Sequence, residues 1–138
     1  MFNLDPRLAG DTLLVGELPL CRVLLMNDAQ YPWLILVPRL ADVVELTDLS
    51  DTDYQRYCAE SRAVAKAMLE VYPDAKLNIA ALGNVVSQLH IHHVARFNND
   101  AAWPGPIWGK HPAIPYDPEQ ANALVKQFQT QLSIKEGS

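Results

Sequence analysis

The stretch Gln88-Leu89-His90-Ile91-His92-His93-Val94-Ala95-Arg96 decides how this chain is read. Polar and apolar residues alternate over most of it, which predicts a strand. A strand turns successive side chains to opposite faces. Gln88, His90, His92 and Val94 therefore share one face, and Leu89, Ile91, His93 and Ala95 share the other. Of the four histidines in the chain, three fall in this stretch, yet only His90 and His92 can act as a pair. His93 points away from them and is expected to be structural. Two adjacent imidazoles on one sheet face are costly to bury. The spacing leaves three readings open. One imidazole could act as nucleophile or base while its neighbour holds an anionic substrate. The pair could hold a metal, because His-x-His on a strand aims two imidazoles the same way. Both could also be structural. The metal reading lacks an acidic or thiolate third ligand on this strand, and only His111, in a distant loop, offers a further imidazole.

Moving outward, residues 76–82 (KLNIAAL) read as a second strand, joined to the histidine strand through Gly83-Asn84-Val85-Val86-Ser87. Upstream, residues 12–15 and 21–25 read as strands flanking a hairpin break at Gly16-Glu17-Leu18-Pro19. The apolar run 33–37 (WLILV) suits a buried strand, and residues 27–32 read as a loop. Ser50 followed by Asp53 resembles a capping box with a shortened acid, preceded by Leu49 and followed by Tyr54 as a hydrophobic staple. The helix it opens ends at Pro73-Asp74. Its expected buried face is Tyr54, Cys58, Ser61, Ala65, Met68 and Tyr72. Glu60, Arg62, Lys66 and Glu70 are expected in solvent. A Pro/Trp-rich loop (about 100–116) precedes a last helix (about 117–133). Asp117 is its expected N-cap, Pro118 its first residue, and Ala121, Leu124, Val125, Phe128 and Leu132 its buried stripe. Single strands do not alternate with single helices here. The order predicts an α+β fold, an antiparallel sheet with helices on one face.

Length and composition agree with one domain over residues 1–138. Apolar residues make up 49% and charged residues 20%, ordinary globular usage that argues against a disordered chain. The net charge of −5 gives no electrostatic footprint for long nucleic acid. Cys21 and Cys58 are too few for a disulfide framework and lack metal-ligand spacing. Cys58 is expected to be a small core residue. No apolar run is long enough to span a bilayer, and the N-terminus shows no signal-peptide pattern, so the expected location is the cytoplasm.

The segment from Gly83 to Arg96 resembles the signature of the histidine triad (HIT) superfamily of nucleotide hydrolases and transferases. That signature reads His-φ-His-φ-His-φ-φ, with φ apolar, after a Gly-Gln turn. With Gly83 as the family glycine, Gln88 takes the first histidine position without a gap. His90 takes the central one, His92 the third, and Arg96 the arginine that closes the motif in one branch. A register with His90 first would misplace both Gly83 and Arg96. The run Tyr31-Pro32-Trp33-Leu34-Ile35-Leu36-Val37-Pro38-Arg39 resembles the family's Pro-x-His-φ-φ-φ-x-Pro-Lys/Arg strand. Residues 102–109 are similar to a segment of a bacterial branch that also carries Gln at the first position. Two departures stand out: Gln88 for the first histidine and Trp33 for a histidine on the earlier strand.

The resemblance implies a HIT-like antiparallel sheet of about five strands with a main helix and a C-terminal helix. It implies a nucleotide-phosphate hydrolase or nucleotidyl transferase, acting at the α-phosphate of dinucleoside polyphosphates or nucleoside phosphoramidates. His90 would be the nucleophile and His92 a phosphate ligand, with Gln88, Asn78 and Asn84 as further phosphate contacts and Asn27 or Asp28 at the ribose. It also implies a homodimer and no required metal or other cofactor. The expected partner is a nucleotide, with no long nucleic acid and no membrane. The rivals are a nucleotide-binding or scaffold protein with little turnover, and a metal-dependent enzyme built on His90 and His92.

Overall fold

The computed structural model describes residues 1–134, and residues 135–138 of the expected domain lie outside the described residues. Five strands run over Thr12–Glu17 (β1), Cys21–Met26 (β2), Trp33–Pro38 (β3), Lys76–Ala80 (β4) and Ile91–Arg96 (β5). They form one antiparallel sheet in the order β1-β2-β3-β5-β4. Three helices accompany it: Pro6–Asp11 (α1), Asp51–Val71 (α2) and Pro118–Gln131 (α3). The α+β architecture expected from the order of elements is the one observed.

The sheet is covered on both faces, which is why β3 is buried along its whole length and reads as a continuous apolar run. On one face Val23, Leu25, Leu34, Leu36, Ile91 and Ala95 form a core with Val64 and Met68 of α2 and Phe128 of α3. On the other, Leu24, Trp33, Ile35, Val37 and Val94 pack with Leu8 of α1 and with Ala102, Ile107 and Trp108 of the Pro/Trp-rich loop. So the two long helices share one face as expected, while α1 and the loop close the other. The short α1 carries too few turns to print a helical period in the sequence, and only its Asp5 cap, which accepts from the Arg7 amide, and Pro6 mark it.

Ser50 caps α2 by accepting from the Asp53 amide at 3.1 Å. The face this helix buries differs from the expected one. Tyr57, Glu60, Val64, Ala67 and Met68 are buried, while Tyr54 and Cys58 are exposed. The expected core role of Cys58 and solvated role of Glu60 are thus both corrected. The cause is a polar contact. The Glu60 carboxylate accepts from the backbone amides of Leu20 and Cys21, both at 2.8 Å, at the turn between β1 and β2. Those amides are buried donors that need a partner. With that contact made, the buried face sits about one residue, roughly 100°, away from the expected apolar stripe. Asp117 does sit at the N-cap of α3 with Pro118 next, but its side chain makes no capping hydrogen bond.

The two strands around the histidines are shorter than the sequence suggests. β4 ends at Ala80, and β5 begins at Ile91. Gly83 adopts φ +84°, a left-handed conformation that glycine takes without a steric cost. It starts a loop that carries the chain off the sheet. The Leu89 amide bonds to the Val43 carbonyl of a neighbouring loop. Gln88 and His90 therefore precede the strand, on its approach.

Candidate active site

His90 and His92 come together as expected, although His90 precedes β5, with ring centroids 4.9 Å apart and rings nearly edge to face. They are 7% and 6% exposed, so each shows the solvent little more than one edge. His90 borders a cleft of about 230 Å³ that Val44, Glu45, Thr47, Gly83 and Gln88 also line.

The hydrogen bonds fix which ring nitrogen carries each proton. His90 Nδ1 lies 2.7 Å from the Gln88 carbonyl oxygen. A carbonyl only accepts, so Nδ1 carries the hydrogen and Nε2 of the neutral ring keeps a free lone pair. At His92 the polarity is opposite. The Trp33 indole donates Nε1–H to His92 Nδ1 at 3.0 Å. An indole only donates, so Nδ1 is bare and the proton of the neutral ring sits on Nε2. One ring presents a lone pair and its neighbour presents an N–H. Burial, helped by the charges His90 and His93 would carry, pushes His92 down to about 3, so it is neutral at pH 7.

His92 is enclosed by aromatic rings. Trp33 lies at 5.5 Å from one direction, and Trp108 of the loop at 5.5 Å from another. The loop that brings Trp108 here is anchored by Arg96, which is 1% exposed. Arg96 grips Asp100 with two hydrogen bonds, at 2.7 and 3.0 Å. Its guanidinium lies by the rings of Tyr31 and Trp103, 5.8 and 5.7 Å from their centroids. Asp100 also accepts from the amides of Phe97, Ala102 and Trp103. Burial disfavours the charged carboxylate, but Arg96 and these amides outweigh it and hold the group down to about 2.

The other residues singled out in the sequence are placed differently. The Gln88 side chain grips the N-terminal segment: Oε1 accepts from the Asp5 amide and Nε2 donates to the Asn3 carbonyl, both at 2.8 Å. Its backbone carbonyl, not its amide group, meets His90. Asn78 shares the sheet face of His92, and its Oδ1 accepts from Arg96 at 2.9 Å. Asn84 is exposed in the loop after Gly83. Asn27 Oδ1 accepts from the Tyr116 amide, and Asp28 Oδ1 accepts from the Gln30 amide and side chain and from the Ile114 amide. These two side chains fasten the stretch ahead of α3 to the β2–β3 loop. His111 lies near the Ala101 carbonyl, in the loop. Among the described residues no three His, Cys, Asp or Glu side chains converge as a metal site.

His93 occupies the opposite face, fully buried. Its Nδ1 donates to the Ile91 carbonyl at 3.1 Å, and Nε2 accepts from Ser61 of α2 at 2.8 Å. Burial pushes it down to about 4. The sequence singles out neither Asp100 nor the contact of Trp108 with His92. Asp100 carried a usable signal, an acid four residues after the motif arginine, whereas nothing local ties Trp108 to His92.

Comparison with known proteins supports the fold and the family. The family model described as the HIT domain matches residues 8–99. A histidine triad protein from Marinobacter aquaeolei VT8 is 48% identical, with a TM-score of 0.94 over 96% of this chain and 97% of that one. A histidine triad (HIT) protein from Sinorhizobium meliloti 1021 is 41% identical, with a TM-score of 0.92 over 94% and 96%. A zinc-bound histidine triad family protein from Mycobacterium smegmatis, 19% identical at a TM-score of 0.61 over 92% and 89%, shares the fold. Curated proteins give no match.

Proposed function

The chain belongs to the HIT-domain family, and from that premise we propose that it is a nucleotide-phosphate hydrolase or nucleotidyl transferase that works through a nucleotidyl-histidine on His90. The observation that carries the proposal is the opposite proton placement of the two imidazoles. The Nε2 lone pair of His90 attacks the α-phosphorus of a dinucleoside polyphosphate or a nucleoside phosphoramidate. A P–N bond forms, and the bond from phosphorus to the leaving group breaks, with the electron pair departing on that group. The ring becomes cationic, and the Gln88 carbonyl accepting from Nδ1–H stabilises that charge. Nε2–H of His92 donates to a non-bridging oxygen as charge builds there. Water then attacks phosphorus, the P–N bond breaks with its electron pair returning to Nε2 so that His90 is neutral again, and the proton of the water passes to solvent. An amine leaving group takes up a proton from solvent in the first step. The dinucleoside reading would make the protein diadenosine polyphosphate hydrolase-like. No step calls on a metal or other cofactor.

The test is rapid quenching with a labelled nucleotide substrate in the presence of EDTA. The expected result is nucleotide bound to His90 through an acid-labile, base-stable bond. Robust turnover with no adduct, or with the adduct on His92, would refute the mechanism. Reversible binding without turnover would favour a scaffold.

The partner is a small nucleotide, with no role for long nucleic acid. No helix among the described residues is long and apolar enough to cross a membrane. We place the protein in the cytoplasm as a homodimer. β4 is an edge strand of the sheet, and Ile79, Leu82 and Val85 are exposed along and beyond it. An unpaired apolar edge invites a second strand. Sedimentation at high micromolar concentration should give a dimer mass, and a monomer there would remove this part of the reading.

A further inference from the structure

The indole of Trp33 takes no part in the reaction just described, yet it is buried against its central pair. It stands where the sequence departs from the family pattern. A histidine at that place could donate or accept and would permit either tautomer of His92. An indole permits only one. We propose that Trp33 is a positioning residue that holds His92 as a standing Nε2–H donor and opposes protonation of its other nitrogen.

Three observations support it. The contact is a 3.0 Å bond whose direction is fixed by the chemistry of the donor. A proton added at Nδ1 would set two N–H groups against each other, so the lock also opposes the imidazolium. It acts in the same direction as the burial that already pushes His92 down to about 3. Lastly, Trp108 packs on His92 as well, so the ring has aromatic neighbours besides its partner histidine. The groups around His92 leave little else to set its charge. β3 contributes Trp33 and Ile35, β4 contributes Ala80 opposite it, and the loop contributes Trp108. None of these ionises near neutral pH. The titratable neighbours are His90 and His93 in its own segment. Arg96, farther along the same face, is paired with Asp100.

This inference rests on the reading of the site given above, because it explains how that site keeps its donor. Its test does not need turnover. In the full chain labelled with ¹⁵N-histidine, long-range ¹H–¹⁵N correlation reports which nitrogen is protonated. From about pH 5 to about pH 8, where free histidine titrates, His92 should keep a bare Nδ1 and a protonated Nε2. In Trp33→Phe the same signals should show mixed tautomers over that range. With substrate, Trp33→Phe should lower kcat roughly tenfold and change KM by less than about twofold, the pattern of a contact made in the transition state. A proton on Nδ1 of His92 in the wild type, or titration within that range, would overturn the proposal, and this holds even if the variant does not fold. An unchanged tautomer in a folded Trp33→Phe would overturn it too. A locked His92 with no adduct on His90 would sink the covalent mechanism alone.

Discussion

His92 and His93 are neighbours in the chain and differ in nearly everything else. Both are buried, and both are held neutral by burial. His93 has both ring nitrogens engaged by protein groups, the Ile91 carbonyl and the Ser61 hydroxyl. It is a core residue that happens to be polar. His92 has one nitrogen engaged, by Trp33, and keeps the other for a ligand. His90 repeats that pattern with the polarity reversed. Residue type and burial therefore do not separate a working histidine from a structural one. The count of satisfied nitrogens does, because a group fully bonded to the protein has nothing left to offer a substrate.

The largest test of this contrast is a pair of substitutions. His90→Ala should lower turnover by roughly four orders of magnitude or more, since it removes the attacking atom. It should leave the thermal midpoint close to that of the wild type. His93→Ala should reverse the pattern: a stability loss of about 2 kcal/mol in denaturant titration, with turnover per folded molecule retained. Equal loss of turnover from both, with both proteins folded, would break the comparison.

Asp100→Ala probes what holds the cover over the working face. It leaves Arg96 buried without its acid, which should cost about 3 kcal/mol or more in denaturant titration. The amides of Phe97, Ala102 and Trp103 lose their acceptor as well. Tryptophan fluorescence should change with it, because Trp103 and Trp108 lie on the segment that Asp100 ties down. A variant as stable as the wild type would show that the loop is held by other contacts.

Acidification sharpens the structural side. The folded value of His93, about 4, lies below that of an unfolded histidine near 6.5. Between those values the unfolded chain binds the extra proton. Stability should thus be fully present above about pH 6.5 and fall on acidification towards pH 4. The contribution of His93 is at most on the order of 3 kcal/mol. His93→Leu should flatten this part of the stability–pH curve, and His92 supplies a further share in the same direction. A curve equally steep in His93→Leu would mean that His93 is not the group responsible.

Much of this was readable from the chain. The alternation around His90 gave the pairing of the two imidazoles and the exclusion of His93, because strand geometry is a local rule. The apolar run at 33–37 marked a strand buried on both sides, and Ser50 marked the start of α2. What stayed hidden depends on contacts between distant segments. Glu60 looks solvated within its own helix, and only the turn near Leu20 reveals why it is buried. The resemblance put Gln88 at a histidine position, and in the structure its side-chain amide grips Asn3 and Asp5. The resemblance implied Asn27 or Asp28 at the ribose, and in the structure their side-chain oxygens hold the approach to α3. Polar side chains of this kind take whichever partner the fold brings, and that partner is not encoded beside them.

The Glu60 contact has a consequence for how the molecule breathes. Turns between strands ordinarily open on their own, and their amides exchange with solvent far faster than those of the core. Here the amides of Leu20 and Cys21 are held by a carboxylate from the middle of α2. They can open only when the helix lifts from the sheet or the carboxylate lets go. The first hairpin and the main helix are thus coupled, and deuterium should enter at the tip of that hairpin more slowly than at a turn without such a contact.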